Sequence, residues 1–169
     1  KISLPGGKYD IIYADPPWTY KAWSKKGEGR TASHHYDVMV DEDIYNMPVQ
    51  KIANDNCILL LWVTFPKLLE GIETMKRWGF TYKTCAFAWI KTNKNYNTKQ
   101  FTFLPEDSFS SFWGMGYWTR ANAELCLLGT VGKPKRVSKS VHQVIYEPIE
   151  RHSKKPDCVR DKIVELCGD

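Results

Sequence analysis

The sequence predicts an α/β sandwich, a mostly parallel sheet with helices on both faces. Three observations carry that expectation. Residues CILLLWVT (57–64) form an unbroken apolar run, the pattern of a strand covered on both sides. Strand-like stretches alternate with two segments of helical spacing, as in βαβ architecture. Glycine and proline punctuate several of the joins.

In chain order, YDIIYA (9–14) reads as the first strand and runs straight into DPPW (15–18). Segment 19–42 is polar, with Gly27, Gly29 and clustered Lys and Arg, and reads as a long loop. Short helical turns are expected at 42–46 and 48–54, where Val49, Ile52 and Ala53 share a side. After the 57–64 strand, Pro66 marks a helix first turn. Leu68, Leu69, Ile72, Met75 and Trp78 then fall at helical spacing, and Gly79 supplies the stop. Strands are expected at 80–91 and 123–130 and around 142–147. Residues 92–120 form a second long loop, polar and then aromatic. The last helix starts at Pro156, with Val159, Ile163, Leu166 and Cys167 inward and Asp157, Arg160, Lys162 and Glu165 outward. Two loops longer than about fifteen residues in so short a chain point to function.

At 169 residues, 43% hydrophobic and 25% charged, the chain suits one domain and excludes a disordered one. Aromatics reach 14%, which suits a large core and also sites that stack flat rings. A net charge of +5 is compatible with a polyanionic partner without requiring one. Five cysteines with no close pairing argue against a zinc site or a disulfide framework, and no metal is expected. The longest apolar run is too short to span a bilayer and no signal peptide opens the chain, so the expected location is cytoplasmic, intracellular and reducing.

Ligands of open α/β sheets gather at the carboxyl ends of strands. Asp15 stands at such an end. Pro16 and Pro17 stiffen the turn and remove two amide donors, leaving the Asp15 and Pro16 carbonyls as acceptors. Trp18 adds a flat face. A carboxylate, a carbonyl and a ring, without a nucleophile, suit the grip of a planar amine such as the amino group of adenine. Two acceptors following its hydrogens would stabilise positive charge developing on nitrogen as it attacks an activated methyl group. The rival reading is a capped Pro-Pro turn with Trp18 in the core.

With DPPW stand His35 and Tyr36, LLLWVT (59–64), WGF (78–80), WIKTN (89–93), GYWTRANAELCLLGTVGKP (116–134) and HSKKPD (152–157). This ordered set, covering nearly the whole chain, resembles the MT-A70-like family of S-adenosylmethionine-dependent adenine-N6 methyltransferases. The resemblance implies a Rossmann-like methyltransferase sandwich, circularly permuted so that the catalytic motif precedes the cofactor half. It implies S-adenosyl-L-methionine as cofactor and a DNA or RNA adenine as acceptor. The family pattern continues past HSKKPD and its helix into another cofactor-contacting strand, whereas this sequence ends at Asp169. The expectation is a single methyltransferase domain over 1–169 lacking that strand.

By the same resemblance Asp15, Pro16, Pro17 and Trp18 are catalytic. Asp15, Pro17, Ser153 and Lys155 meet the cofactor, and Trp18, Tyr36, Arg120 and Glu124 meet the substrate. Each has a plainer reading. Lys155 alone is a solvated lysine, Tyr36 a loop aromatic, and Arg120 with Glu124 a surface ion pair. His152 reads as structural no less than functional. The aromatic run 101–118 suits either a lid core or the stacking of unpaired bases. Lys21, Lys25, Lys26, Arg30, Lys133, Lys135, Arg136 and Lys139 suit phosphate contacts or a solvated face. GTVGKP lacks the spacing of a phosphate loop.

The expected function is methyl transfer to adenine N6 in nucleic acid, with DNA preferred to RNA because the compact chain lacks appended regions. The alternatives are an RNA adenine-N6 methyltransferase and an inactive nucleic-acid-binding subunit. A cytosine-N4 or protein-amide enzyme is a further rival, though its relatives usually lack Asp and Trp in this tetrapeptide. The chain is expected to act alone, as a homodimer, or with a paired methyltransferase-like subunit, away from membranes.

Overall fold

A computed structural model describes residues 3–20, 39–93, 114, 116, 118–151 and 153–168. Among the described residues, five strands, β1 (Tyr9–Ala14), β2 (Ala53–Val63), β3 (Thr81–Thr92), β4 (Ala123–Val131) and β5 (Val144–Pro148), are joined with three α-helices, α1 (Asp41–Tyr45), α2 (Leu68–Arg77) and α3 (Cys158–Cys167). The strand order is β1-β2-β4-β3-β5. Both pairs with a recorded register, β1 with β2 and β3 with β5, are parallel. Parallel neighbours need a crossover rather than a hairpin, and α1 lies in the one joining β1 to β2. This is the α/β, Rossmann-like architecture expected.

The chain divides into two compact units, Lys1–Thr84 with Leu127–Pro134, and Cys85–Cys126 with Lys135–Asp169. In the first, Cys57 to Val63 are buried without a break, so both faces of β2 are covered. The strand begins four residues before the apolar run, at Ala53. Its Asn54, Asp55 and Asn56 carry a register shift against β1, and polar side chains hid that extension.

Helix α2 buries Gly71, Thr74 and Met75, followed by Trp78 just past its end. A Cβ at Gly71 would overlap Val63 Cγ1, so glycine lets the helix backbone settle directly on β2. The predicted apolar stripe is therefore corrected: Leu69 is 79% exposed and Ile72 faces outward too. Gly79 ends the helix at φ +85°. Trp78 is fixed by its indole N–H donating to the Ile44 carbonyl at 2.8 Å. Lys67 ties α1 to the start of α2 through Asp41 at 2.7 Å.

In the second unit, α3 buries Val159 and Ile163, with Leu166 and Cys167 half-buried as the spacing predicts. Trp89 of β3 donates its indole N–H to the Glu147 carbonyl of β5 at 2.9 Å. The five cysteines are thiols rather than disulfide halves, and burial pushes the Cys57 thiol up to about 11, the behaviour of a core thiol. No helix among the described residues is long and apolar enough to cross a membrane.

Candidate active site

In the first unit, the register Ala14 with Leu61 carries Asp15 just past the carboxyl end of β1, beside Trp62. Asp15 is exposed, Pro16 is buried and Pro17 half-buried. The turn is held from several sides. Trp18 donates its indole N–H to the Trp62 carbonyl at 3.0 Å, and Trp62 donates its own to the Tyr13 hydroxyl at 2.7 Å. The Tyr20 and Thr64 hydroxyls meet at 2.9 Å. Met39 N–H donates to the Pro17 carbonyl at 2.9 Å, the Thr19 hydroxyl donates to the Met39 carbonyl, and Trp18 and Met39 form a parallel bridge. The flanks of segment 21–38 are thus pinned together at the DPPW turn.

Two expectations change here. Trp18 is only 4% exposed, with its polar edge spent on a backbone carbonyl. That bond anchors the turn. The Pro16 carbonyl was expected to stand open, but Trp18 N–H donates to it at 2.9 Å, closing a three-residue turn. Trp18 carries the first amide donor after two prolines, so it closes on the nearest acceptor. A carbonyl has two lone pairs, which leaves one for a ligand.

In the second unit, Glu124 sits between two lysines. Lys91 Nζ lies 2.5 Å from its Oε1 and Lys155 Nζ 3.1 Å from its Oε2. Glu124 and Lys155 are each 13% exposed, and Lys91 18%. Lys91 also stands over the Trp89 ring, 5.1 Å from its centroid. Lys155 reaches the Ser153 carbonyl at 3.5 Å, and Ser153 takes a left-handed φ of +62°. Among the described residues the ion pairs of Glu124 run to Lys91 and Lys155 rather than to Arg120, which is exposed.

Burial alone would raise the Glu124 carboxyl. The charges of Lys155 and Lys91, with their hydrogen bonds, outweigh it and hold the group below the ordinary glutamate range. A carboxyl depressed in the folded chain stabilises it fully above the unfolded value, about 4.3. That contribution is lost as pH falls through the folded value. Thermal denaturation followed from neutral pH into acid should show this loss, and Glu124→Gln should blunt it.

The segment leading into β4 makes a tight turn. Gly114 N–H donates to the Ala121 carbonyl at 3.2 Å, and a Cβ at Gly116 would overlap the Thr119 carbonyl oxygen. At its tip Trp118 takes φ +71° and is 92% exposed. Lys133, Lys135, Arg136 and Lys139 are exposed as well. His35, Tyr36, Lys21, Lys25, Lys26, Arg30, His152 and nearly all of the aromatic run 101–118 lie outside the described residues. A hollow of about 220 Å³, lined by Lys8, Asn54, Asp55 and Trp78 among others, lies at the amino end of β2, the opposite end of that strand from Asp15.

The sequence model of the MT-A70 family matches residues 9–168. The chain belongs to the MT-A70 methyltransferase family. It is 30% identical over 180 residues to the type II methyltransferase M.MunI of Mycoplasma sp, covering 96% of this chain and 69% of that protein. It is 33% identical to the N6-adenosine-methyltransferase non-catalytic subunit MTB of Arabidopsis thaliana, covering 79% of this chain and 15% of that one. With the human N(6)-adenosine-methyltransferase catalytic subunit METTL3 it shares 24% identity, over 95% of this chain and 24% of that one.

MT-A70 methyltransferases generally use S-adenosylmethionine. The donor chemistry fits such a group. Within the second unit, two ammonium groups sharing one carboxylate suit an added carboxylate. Within the first, taken by itself, the exposed Asp15 suits a cationic or amine ligand. Lys91 was missed as a site residue although it lies within the WIKTN segment, because the spacing shows nothing of a partner 33 residues away.

Proposed function

We propose that this MT-A70 chain is a catalytic domain transferring a methyl group to the N6 amino group of adenine in nucleic acid, DNA in preference to RNA. The observation that carries the reading is the exposed Asp15 at the carboxyl end of β1, on a turn locked by Trp18, Trp62 and Met39. The chemistry supplied by bound S-adenosylmethionine is a methyl electrophile on a positively charged sulfur. In this reading Asp15 and the second lone pair of the Pro16 carbonyl take the two amine hydrogens. They stabilise the positive charge that grows on nitrogen, and Asp15 is the nearest base for the proton that leaves. Pro17 stiffens the turn, and Trp18 positions it.

Lys155 and Ser153 serve the cofactor's amino-acid end, with Glu124 beside them. Arg120 and Tyr36 remain assigned to the acceptor side. The circularly permuted order and a single domain over 1–169 belong to the same reading, as does a cytoplasmic location. The exposed ring for base stacking is Trp118. Trp118→Ala should raise KM for nucleic acid about tenfold or more, from about 1–3 kcal/mol of lost stacking, with kcat little changed. Steady-state kinetics on a single-stranded oligonucleotide measures this directly.

Comparing methyl incorporation into matched DNA and RNA, each single-stranded and duplex, tests the acceptor. DNA should exceed RNA. Single strands should match or exceed duplex, because a paired adenine must first be flipped out at a cost of about a few kcal/mol. Incorporation confined to RNA would overturn the preference. A second reading, a non-catalytic nucleic-acid-binding partner of an active subunit, is favoured by the resemblance to MTB. The intact Asp15–Trp18 tetrapeptide weighs against it. Calorimetry with S-adenosylmethionine separates the two, since absence of binding favours the partner role.

A further inference from the structure

We infer that Lys91 is a positioning residue for the cofactor's carboxylate, acting through Glu124 on Lys155. This rests on the reading of Lys155 as the group that meets that carboxylate. The geometry is asymmetric. Lys91 holds Oε1 of Glu124 at 2.5 Å, whereas Lys155 stands 3.1 Å from Oε2.

Lys91 has little freedom of its own. It shares a face of β3 with Trp89, two residues earlier, and lies over that ring at 5.1 Å. Trp89 is in turn fixed by its bond to the Glu147 carbonyl, and Glu147 is the register partner of Lys91 on β5. Glu124 is therefore steadied from the Lys91 side, while its charge is shared between the two lysines. Two ammonium groups around one carboxylate leave a net positive charge beside Lys155, which favours a second anion there. Without Lys91, Glu124 would draw Lys155 into a neutral one-to-one pair, and the cation offered to a ligand would be lost.

The test is calorimetry on the intact protein with two probes. S-adenosylhomocysteine carries the amino-acid carboxylate, and 5′-methylthioadenosine lacks the amino-acid end. Lys91→Met should weaken S-adenosylhomocysteine about tenfold or more, the worth of one charge-assisted hydrogen bond. Binding of 5′-methylthioadenosine should stay at the parent's value. Lys91→Arg, which keeps the charge, should restore most of the loss. Equal binding of S-adenosylhomocysteine by parent and Lys91→Met overturns the inference while the cofactor reading stands. Equal weakening of both probes also overturns it, by showing a general loss of structure. Failure of the parent to bind S-adenosylhomocysteine overturns the cofactor reading and the inference together.

Discussion

Asp15→Ala should fold as the parent does and slow methyl transfer by on the order of a hundredfold or more, the usual cost of one preorganised transition-state hydrogen bond. Asp15 is exposed, so truncation opens no cavity in the core, and stability should move little. The effect falls on turnover because the amine nitrogen is nearly neutral when bound and positive only as the new bond forms. An acceptor aimed at its hydrogens gains most at that moment. KM for nucleic acid should therefore change far less than kcat. A folded Asp15→Ala protein that methylates at the parent's rate would remove Asp15 from the mechanism.

Trp18→Ala should destabilise the protein by about 3–5 kcal/mol, as for a large aromatic lost from a packed interior. The Trp62 carbonyl would also lose its 3.0 Å donor. Against a total of about 5–15 kcal/mol, that is a large fraction of the folding free energy. Trp18→Phe keeps most of the ring but not the N–H, and should cost about 1 kcal/mol from the bond alone, together with slower turnover as the turn loosens. Chemical denaturation of both variants measures the difference. Parent-like stability in Trp18→Ala, combined with a raised KM for nucleic acid, would return Trp18 to the stacking role and contradict the anchor assigned to it.

The case of Trp18 shows where reading from sequence stopped. DPPW at the end of a buried strand located the turn, because strand patterning and proline chemistry are both local. What the indole N–H faces was not local: its acceptor lies 44 residues on, at Trp62. Helix α2 was legible in extent because Pro66 and Gly79 bracket it. Its inward face was not, because Gly71 brings the backbone itself onto Val63 and turns Leu69 and Ile72 outward. In β2 the apolar run marked the core of the strand, while the polar residues 54–56 concealed its first turn of pairing with β1. Lys155 and Glu124 were each found by resemblance and assigned to different ligands. The contact of Lys91 with Glu124 follows from the strand order that sets β3 beside β4, and Lys155 reaches the same carboxylate from the segment before α3.

Mass analysis of nucleosides from DNA and RNA treated with the protein and isotopically labelled S-adenosylmethionine is the most direct test of a grip on an exocyclic adenine amine. The expected product is labelled N6-methyladenine, abolished to near background in Asp15→Ala. Label found only on cytosine N4, or in no nucleoside while the parent binds the cofactor, would contradict it.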